Sequence, residues 1–215
     1  MIPKKIHYCW YSEEPVPHIA AGNLANWQKV LGEEYEIIRW DAKMIAEEIP
    51  EPNEFLKHAI DNRNYAFMSD MIRYFAVAKY GGIYLDMDVR LYRNFDNFLE
   101  HSFFAGWEYW VNSRSINTLT AHCFGAVAHH PYVVSLLASY NGPYNEELAP
   151  IVMRNLMVEK YGITDYIDKN DFLKGEDFVI YPFHYFDRSK KAEHFEECVA
   201  HHQHMNSWRF SKIII

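Results

Sequence analysis

The clearest pattern in the chain is an apolar stripe at Tyr65, Met68, Ile72, Phe75, Ala76 and Tyr80, the three-and-four spacing of an amphipathic helix. On that helix Asp70 and Arg73, three apart, share another face. Gly81 and Gly82 end it, because glycine adopts a left-handed C-terminal conformation without steric cost. Ile83, Tyr84 and Leu85 then make an apolar run too short for a helix, which predicts a buried strand carrying Asp86 and Asp88 to its end. Strand alternation would turn both carboxylates to the same side.

Ahead of this stretch, alternation predicts a first strand over residues 6–10, and periodicity predicts a helix over 18–31 stopped by Gly32. A second strand over 35–40 leads into a helix over 42–49 capped by Asp41, and a short helix covers 53–60. Downstream the pattern predicts an edge strand over 89–92, strands over 103–107, 123–128 and 178–181, helices over 131–139 and 146–161, and an irregular tail over 194–215. The polar segment 112–120 reads equally well as an active-site loop or a surface connection. Strands alternating with helices predict an α/β fold, a Rossmann-like, mostly parallel sheet flanked by helices, with ligands at the carboxyl ends of the strands. No linker divides the chain, so a single domain over residues 1–215 is expected.

Charge narrows the partners. A formal net charge of -8 excludes a general nucleic-acid binder, which needs a basic face to release counterions from phosphates. An anionic ligand must then be held locally, by a metal ion or a few arginines. Cys9, Cys123 and Cys198 are odd in number, far apart and without metal-type spacing, which predicts buried thiols in a reducing cytoplasm. The N-terminus lacks the apolar core of a signal peptide, and no stretch reaches the roughly 18 apolar residues of a bilayer span. Only Lys4 and Lys5 suggest peripheral attachment at the inner membrane face.

Two carboxylates brought together repel each other, and a hard divalent cation, Mn2+ or Mg2+, relieves that repulsion and bridges phosphates. Taken alone, D-x-D reads more often as a solvated turn than as a ligand site. The buried strand before it favours the ligand reading, because it aims the pair at the sheet edge. Asp70 and Arg73 alone would read as an exposed i,i+3 salt bridge worth roughly a few tenths of a kcal/mol. His201, His202 and His204 form an H-H-x-H group, but its spacing fits no common zinc site and cysteine partners are missing, so it reads as mostly solvated.

Three separated pieces, I-P-K-K-I-H-Y-C-W near the start, S-D-M-I-R-Y with G-G-I-Y-L-D-M-D in the middle and H-M-N-S-W near the end, resemble glycosyltransferase family 32. That group includes capsular-polysaccharide sugar transferases and mannosyltransferases, with clostridial glucosylating toxins as distant relatives. The resemblance implies an A-type glycosyltransferase fold and a retaining, metal-dependent transfer of a hexose from a UDP- or GDP-sugar to a saccharide or lipid-linked acceptor, in capsular or surface polysaccharide synthesis. It implies that Asp88 binds the metal directly and that Asp86 contacts the ribose and the metal's water shell. It also implies that Asp70 and Arg73 hold the donor sugar and its phosphate-linked region. Trp10 matches a residue that stacks on the base, where a core tryptophan is the alternative; Tyr84 could reach the ribose or simply pack. By the same resemblance His204 is a further metal ligand, and Ser207 and Trp208 contact the diphosphate.

For a retaining reaction, either a carboxylate nucleophile or a front-face attack assisted by the leaving phosphate would serve. Glu108, after the strand over 103–107, is the carboxylate nominated for the acceptor side, with a surface glutamate as the alternative. Two competing readings stand beside the transferase. A haloacid-type phosphatase also uses D-x-D after a strand, but there the motif comes early and is followed by threonine, whereas Val89 and Arg90 follow here. The other competitor is a degenerate sugar-nucleotide-binding protein without turnover.

Overall fold

Strand β1 (Lys5–Cys9) divides its side chains between two apolar layers, Ile6 and Tyr8 to one side and Cys9 to the other. The computed structural model describes residues 1–12, 15–108, 118–163, 168–187 and 196–205. After β1 come α1 (His18–Leu31), β2 (Glu36–Trp40), α2 (Ala42–Glu48), α3 (Glu54–Asp61), α4 (Tyr65–Tyr80), β3 (Gly82–Leu85) and β4 (Val89–Leu91). The order continues with β5 (Phe103–Gly106), β6 (Cys123–Ala126), α5 (Pro131–Ala138), α6 (Ala149–Tyr161), β7 (Leu173–Lys174), β8 (Val179–Tyr181) and β9 (Ala200–His202).

Seven strands form one sheet in the order β2-β1-β3-β6-β5-β8-β7, and β4 pairs with β9 in a second, two-stranded sheet. In the large sheet β1, β2, β3, β5 and β8 run the same way, while β6 and β7 are reversed. The expected mostly parallel α/β sheet is therefore present. Its central strands read as unbroken apolar runs because both faces are covered. Tyr84, Phe103, Ala105 and Phe124 face the cluster that includes residues of α4, α5 and α6, whereas Ile83, Leu85, Phe104 and Cys123 face the cluster that includes Trp27 and Leu31 of α1.

Local chemistry explains where the helices near the site begin and end. Asp41 and Asn53 accept hydrogen bonds at 2.9 Å from the Met44 and Leu56 amides, each satisfying a free helix N–H. Gly81 stops α4 at φ 63°, and Gly82 opens β3 at φ 106°. A Cβ on Gly82 would lie 2.7 Å from the Lys5 carbonyl oxygen, so the close β1–β3 approach that aims Asp86 requires glycine there.

Several expectations need correction. β3 ends at Leu85, and Asp86 to Val89 form a turn in which the Val89 amide donates to the Asp86 carbonyl at 3.0 Å. The turn, not strand alternation, converges the two carboxylates. The tail expected to be irregular contains β9, whose partner β4 is remote in sequence and invisible to local patterning. β7, only two residues long, carries no periodicity to detect, and α6 begins at Ala149 rather than at 146. Most of the polar segment 112–120 lies outside the described residues; its end returns as a bridge between Leu119 and Trp107. All three cysteines are buried and none forms a disulfide, and no helix among the described residues is long and apolar enough to cross a membrane.

Candidate active site

Asp86, Asp88 and His202 each offer one ligand atom, and these atoms lie within 4.8 Å of one another. Three elements bring them together: β3 ends at Asp86, the turn presents Asp88, and β9 returns His202 opposite Val89. His202 Nε2 is 3.2 Å from Asp88 Oδ1, and the Met205 amide donates to Asp88 Oδ2 at 3.0 Å. The Gln203 amide donates to the Asp88 carbonyl at 2.9 Å. His204 makes this wrap feasible by adopting φ 49°, an uncommon left-handed conformation for a residue with a Cβ.

Burial alone would raise the Asp88 carboxyl, but the hydrogen bond and charge of His202, aided by the Met205 amide, hold it at about 2. Burial likewise opposes charge on His202, yet Asp88 prevails and its pKa is raised. His122 stacks on His202 with ring centroids 4.1 Å apart; desolvation lowers its pKa to about 3, so it is a neutral wall.

Asp70 and Arg73 form a buried pair rather than a surface salt bridge. Arg73 Nη2 donates to Asp70 Oδ1 at 2.7 Å, Nη1 donates to the Ala121 carbonyl at 2.7 Å and Nε to the Ser69 carbonyl at 3.1 Å. The guanidinium lies 3.6 Å from Asp86 Oδ2 and 4.7 Å from the centre of the Tyr84 ring. With these donors directed into the protein, Arg73 is built to position Asp70 and Asp86. Desolvation lifts the Asp70 carboxyl to about 6 against the opposing attraction of Arg73. Tyr84, almost fully buried, donates its hydroxyl to Asp86 Oδ1 at 2.8 Å and so fixes that carboxylate.

The other candidates fall at different distances from this cluster. Trp10 leaves β1 at the sheet edge where β3 delivers Asp86, half-buried against the α1-side cluster. Glu108 is buried, with its carboxylate accepting from Thr118 Oγ1 at 2.8 Å, which removes the exposed-glutamate reading. His204 stands beside His202, ring centroids 4.2 Å apart, and its Nε2 lies 3.2 Å from Asp187 Oδ1. The group set against the two aspartates is therefore His202. Ser207 and Trp208 lie outside the described residues.

Sequence reasoning missed His202, Asn23 and Asp187. Asn23 is buried on the α1 stripe Ala20, Asn23, Trp27, Leu31. Its amide donates to the Met87 carbonyl at 3.0 Å and to Gln203 Oε1 at 2.8 Å, tying the D-x-D turn to the segment that bears His202. The detectable signal was a polar residue on an otherwise apolar helical stripe. His202 carried only the H-H-x-H group as a signal, which reads as solvated because its partners are distant in sequence.

A mixed α/β sheet with a D-x-D turn at its carboxyl edge is the arrangement expected of an A-type glycosyltransferase fold. Residues 21–105 match the family described as a glycosyltransferase sugar-binding region containing a DXD motif. The resemblance to glycosyltransferase family 32 is thus borne out by the match over this DXD-containing region. It is 28% identical over 151 residues to inositol phosphoceramide mannosyltransferase 3 of Schizosaccharomyces pombe, covering 66% of this chain and 40% of that protein. It is 30% identical over 142 residues to mannosyl phosphorylinositol ceramide synthase of Saccharomyces cerevisiae, covering 65% of this chain and 35% of that protein. The chain thus spans about two fifths of the length of the curated relatives it matches. Among solved structures, the PaToxG glycosyltransferase aligns with TM-score 0.55 at 16% identity, over 75% of this chain and 70% of that one. A glycosyltransferase involved in the glycosylation of the major capsid of PBCV-1 aligns with TM-score 0.51 at 10% identity, over 97% of both chains. At these identities the structural matches establish the fold.

Proposed function

We propose that the chain is a retaining, divalent-cation-dependent glycosyltransferase that moves a hexose from a nucleotide diphosphate sugar to a hydroxyl of a saccharide or lipid-linked acceptor. The observation that carries this reading is the convergence of Asp86, Asp88 and His202 at the sheet edge beside the buried Asp70–Arg73 pair. The names of the two mannosyltransferase relatives favour mannose as the hexose and a polyhydroxylated, lipid-linked acceptor.

The residues fit a cation. Two carboxylates and an imidazole form a mixed oxygen and nitrogen set, better suited to Mn2+ than to Mg2+, which prefers oxygen throughout. Asp86, Asp88 and His202 would hold it, and when bound it would neutralise the charge growing on the leaving diphosphate. Asp70 would accept from a donor hydroxyl while Arg73 keeps it ionised and aligned. Trp10 would offer its ring to the base at the same edge.

In the transfer, the bond between sugar C1 and the phosphate oxygen breaks and a C1–oxygen bond to the acceptor forms on the same face. The acceptor proton passes to the leaving phosphate. Front-face attack is favoured because Glu108, the carboxylate nominated for the acceptor side, is buried and engaged by Thr118.

The test is to incubate the chain with a panel of nucleotide sugars and simple acceptors, with Mn2+, with Mg2+ and with a chelator, and to read the product's anomeric configuration by NMR. Cation-dependent turnover with retention is expected. Turnover unaffected by chelation, or an inverted product, would overturn the reading.

A further inference from the structure

The two-stranded β4/β9 sheet has the aspartate and histidine cluster at one end and an open groove of about 610 Å³ at the other. From Asp88 to Arg93 at the groove is five residues of extended chain, at most roughly 17 Å. The volume lies within the roughly 300–1,000 Å³ of ordinary small-molecule sites.

The groove combines mutually tilted aromatic rings with amides and charged side chains of both signs. Tyr181 and Tyr185 have ring centroids 4.9 Å apart with their planes tilted by 53°, and the buried Phe98 ring lies 4.9 Å from Tyr181 at 57° to it. Phe172, an exposed aromatic beside the groove, meets both rings edge-on, 5.1 Å from Tyr181 and 5.6 Å from Tyr185. Both tyrosines are held in place: the Tyr181 hydroxyl lies 2.6 Å from His101 Nε2, and that of Tyr185 is hydrogen-bonded to Glu197. Arg93, pinned through Nη1 to the Cys198 carbonyl at 2.7 Å, lines the groove with Glu196 and with Glu197, which lies 2.8 Å from His184 Nε2, and Asn94 and Asn97 are exposed there.

Preset rings recognise an apolar face, while amides and charges of both signs recognise hydroxyls without selecting a net charge. A phosphate or a polyanion would meet Glu196 and Glu197, and a cation would meet Arg93. The chemistry that fits is a neutral saccharide, whose ring carries C–H groups on one face and hydroxyls around its rim.

We infer that this groove is a second saccharide-binding site, one that anchors the distal sugars of an acceptor whose reactive end lies at the Asp86–Asp88–His202 cluster. The anchoring role rests on the transferase reading; the binding itself does not.

The test is titration of the full chain, without nucleotide sugar, with neutral manno- and gluco-oligosaccharides from the disaccharide upward, read by saturation-transfer NMR and calorimetry. Binding is expected to strengthen with length, to persist in Asp88→Asn, and to weaken about tenfold or more in Tyr185→Ala and in Asn97→Trp, which fills the groove from an exposed position. Asn97→Trp should leave slow donor hydrolysis unchanged. Absence of binding to the folded chain, binding indifferent to both groove variants, or binding lost in Asp88→Asn would each overturn the proposal. Groove binding in a chain that turns over no donor would sustain the saccharide site and reject the transferase reading instead.

Discussion

His202 Nε2 lies 3.2 Å from Asp88 Oδ1, joining the last described strand to the turn that follows β3. This contact, rather than one from His204, sets the third donor group beside the aspartates. Replacing His202 with alanine is expected to weaken Mn2+ binding and transfer about 100-fold or more, since losing a proposed ligand should cost at least as much as the roughly 10–100-fold of disturbing a ligand's supporting shell. His204→Ala, which loses a contact to Asp187 and a ring neighbour, should cost less than about tenfold. Electron paramagnetic titration of Mn2+ with both variants distinguishes them, and a larger effect at His204 would reverse the assignment.

Asn23 links the two halves of that cluster from α1. Its amide spans the Met87 carbonyl, between the two aspartates, and Gln203, next to His202. Asn23→Ala leaves the part-buried Met87 carbonyl without its donor, a cost of about 1 kcal/mol. It should also loosen the geometry of the aspartates, with Mn2+ affinity falling about 10-fold or more. Denaturant unfolding and Mn2+ titration on the same preparation separate the two effects. Unchanged metal affinity would show that the clamp is structural alone.

How much of this was legible in advance follows the range of each signal. The α4 helix, its glycine stop, β3 and the D-x-D pair are encoded within neighbouring residues, so periodicity and turn chemistry locate them. β9 is not, because three residues acquire strand structure only by pairing with β4 across the chain. The inward orientation of Arg73 was likewise hidden, since an i,i+3 charge pair reads the same whether exposed or buried, and only tertiary packing supplies Ala121 as its acceptor. The antiparallel insertion of β6 has no local signature either.

Arg73 offers a test of that buried arrangement. Arg73→Met removes the counter-charge shared by Asp70 and Asp86 and leaves carboxylates together in a low-dielectric site, at a cost of about 3–5 kcal/mol. Arg73→Lys keeps the charge but not the fork that reaches Ser69, Ala121 and Asp70 together, so it should recover only part of the loss. Urea unfolding midpoints rank the three proteins. A lysine variant as stable as wild type would show that charge alone matters.

His7 gives the pH dependence a defined sign. Its Nδ1 accepts from Trp40 Nε1 at 3.1 Å, and because indole N–H only donates, Nε2 must carry the proton and donate to the Gly81 carbonyl at 2.9 Å. That neutral tautomer ties β1 to the α4–β3 connection ahead of the aspartates. Desolvation holds the folded pKa at about 4, below the ordinary 6.5, with the Gly81 hydrogen bond opposing it and the charge of Lys5 adding to it. Between these values the unfolded chain takes up a proton that the folded one refuses. The His7 contribution is therefore complete above pH 6.5 and is lost as pH falls from 6.5 toward 4, a change of about 3 kcal/mol. His7→Gln keeps a donor and an acceptor without titrating, and should remove that part of the slope while lowering stability at neutral pH. Urea unfolding of both proteins at half-unit steps from pH 4 to 7.5 measures the difference, and parallel curves would show that His7 does not titrate across this range.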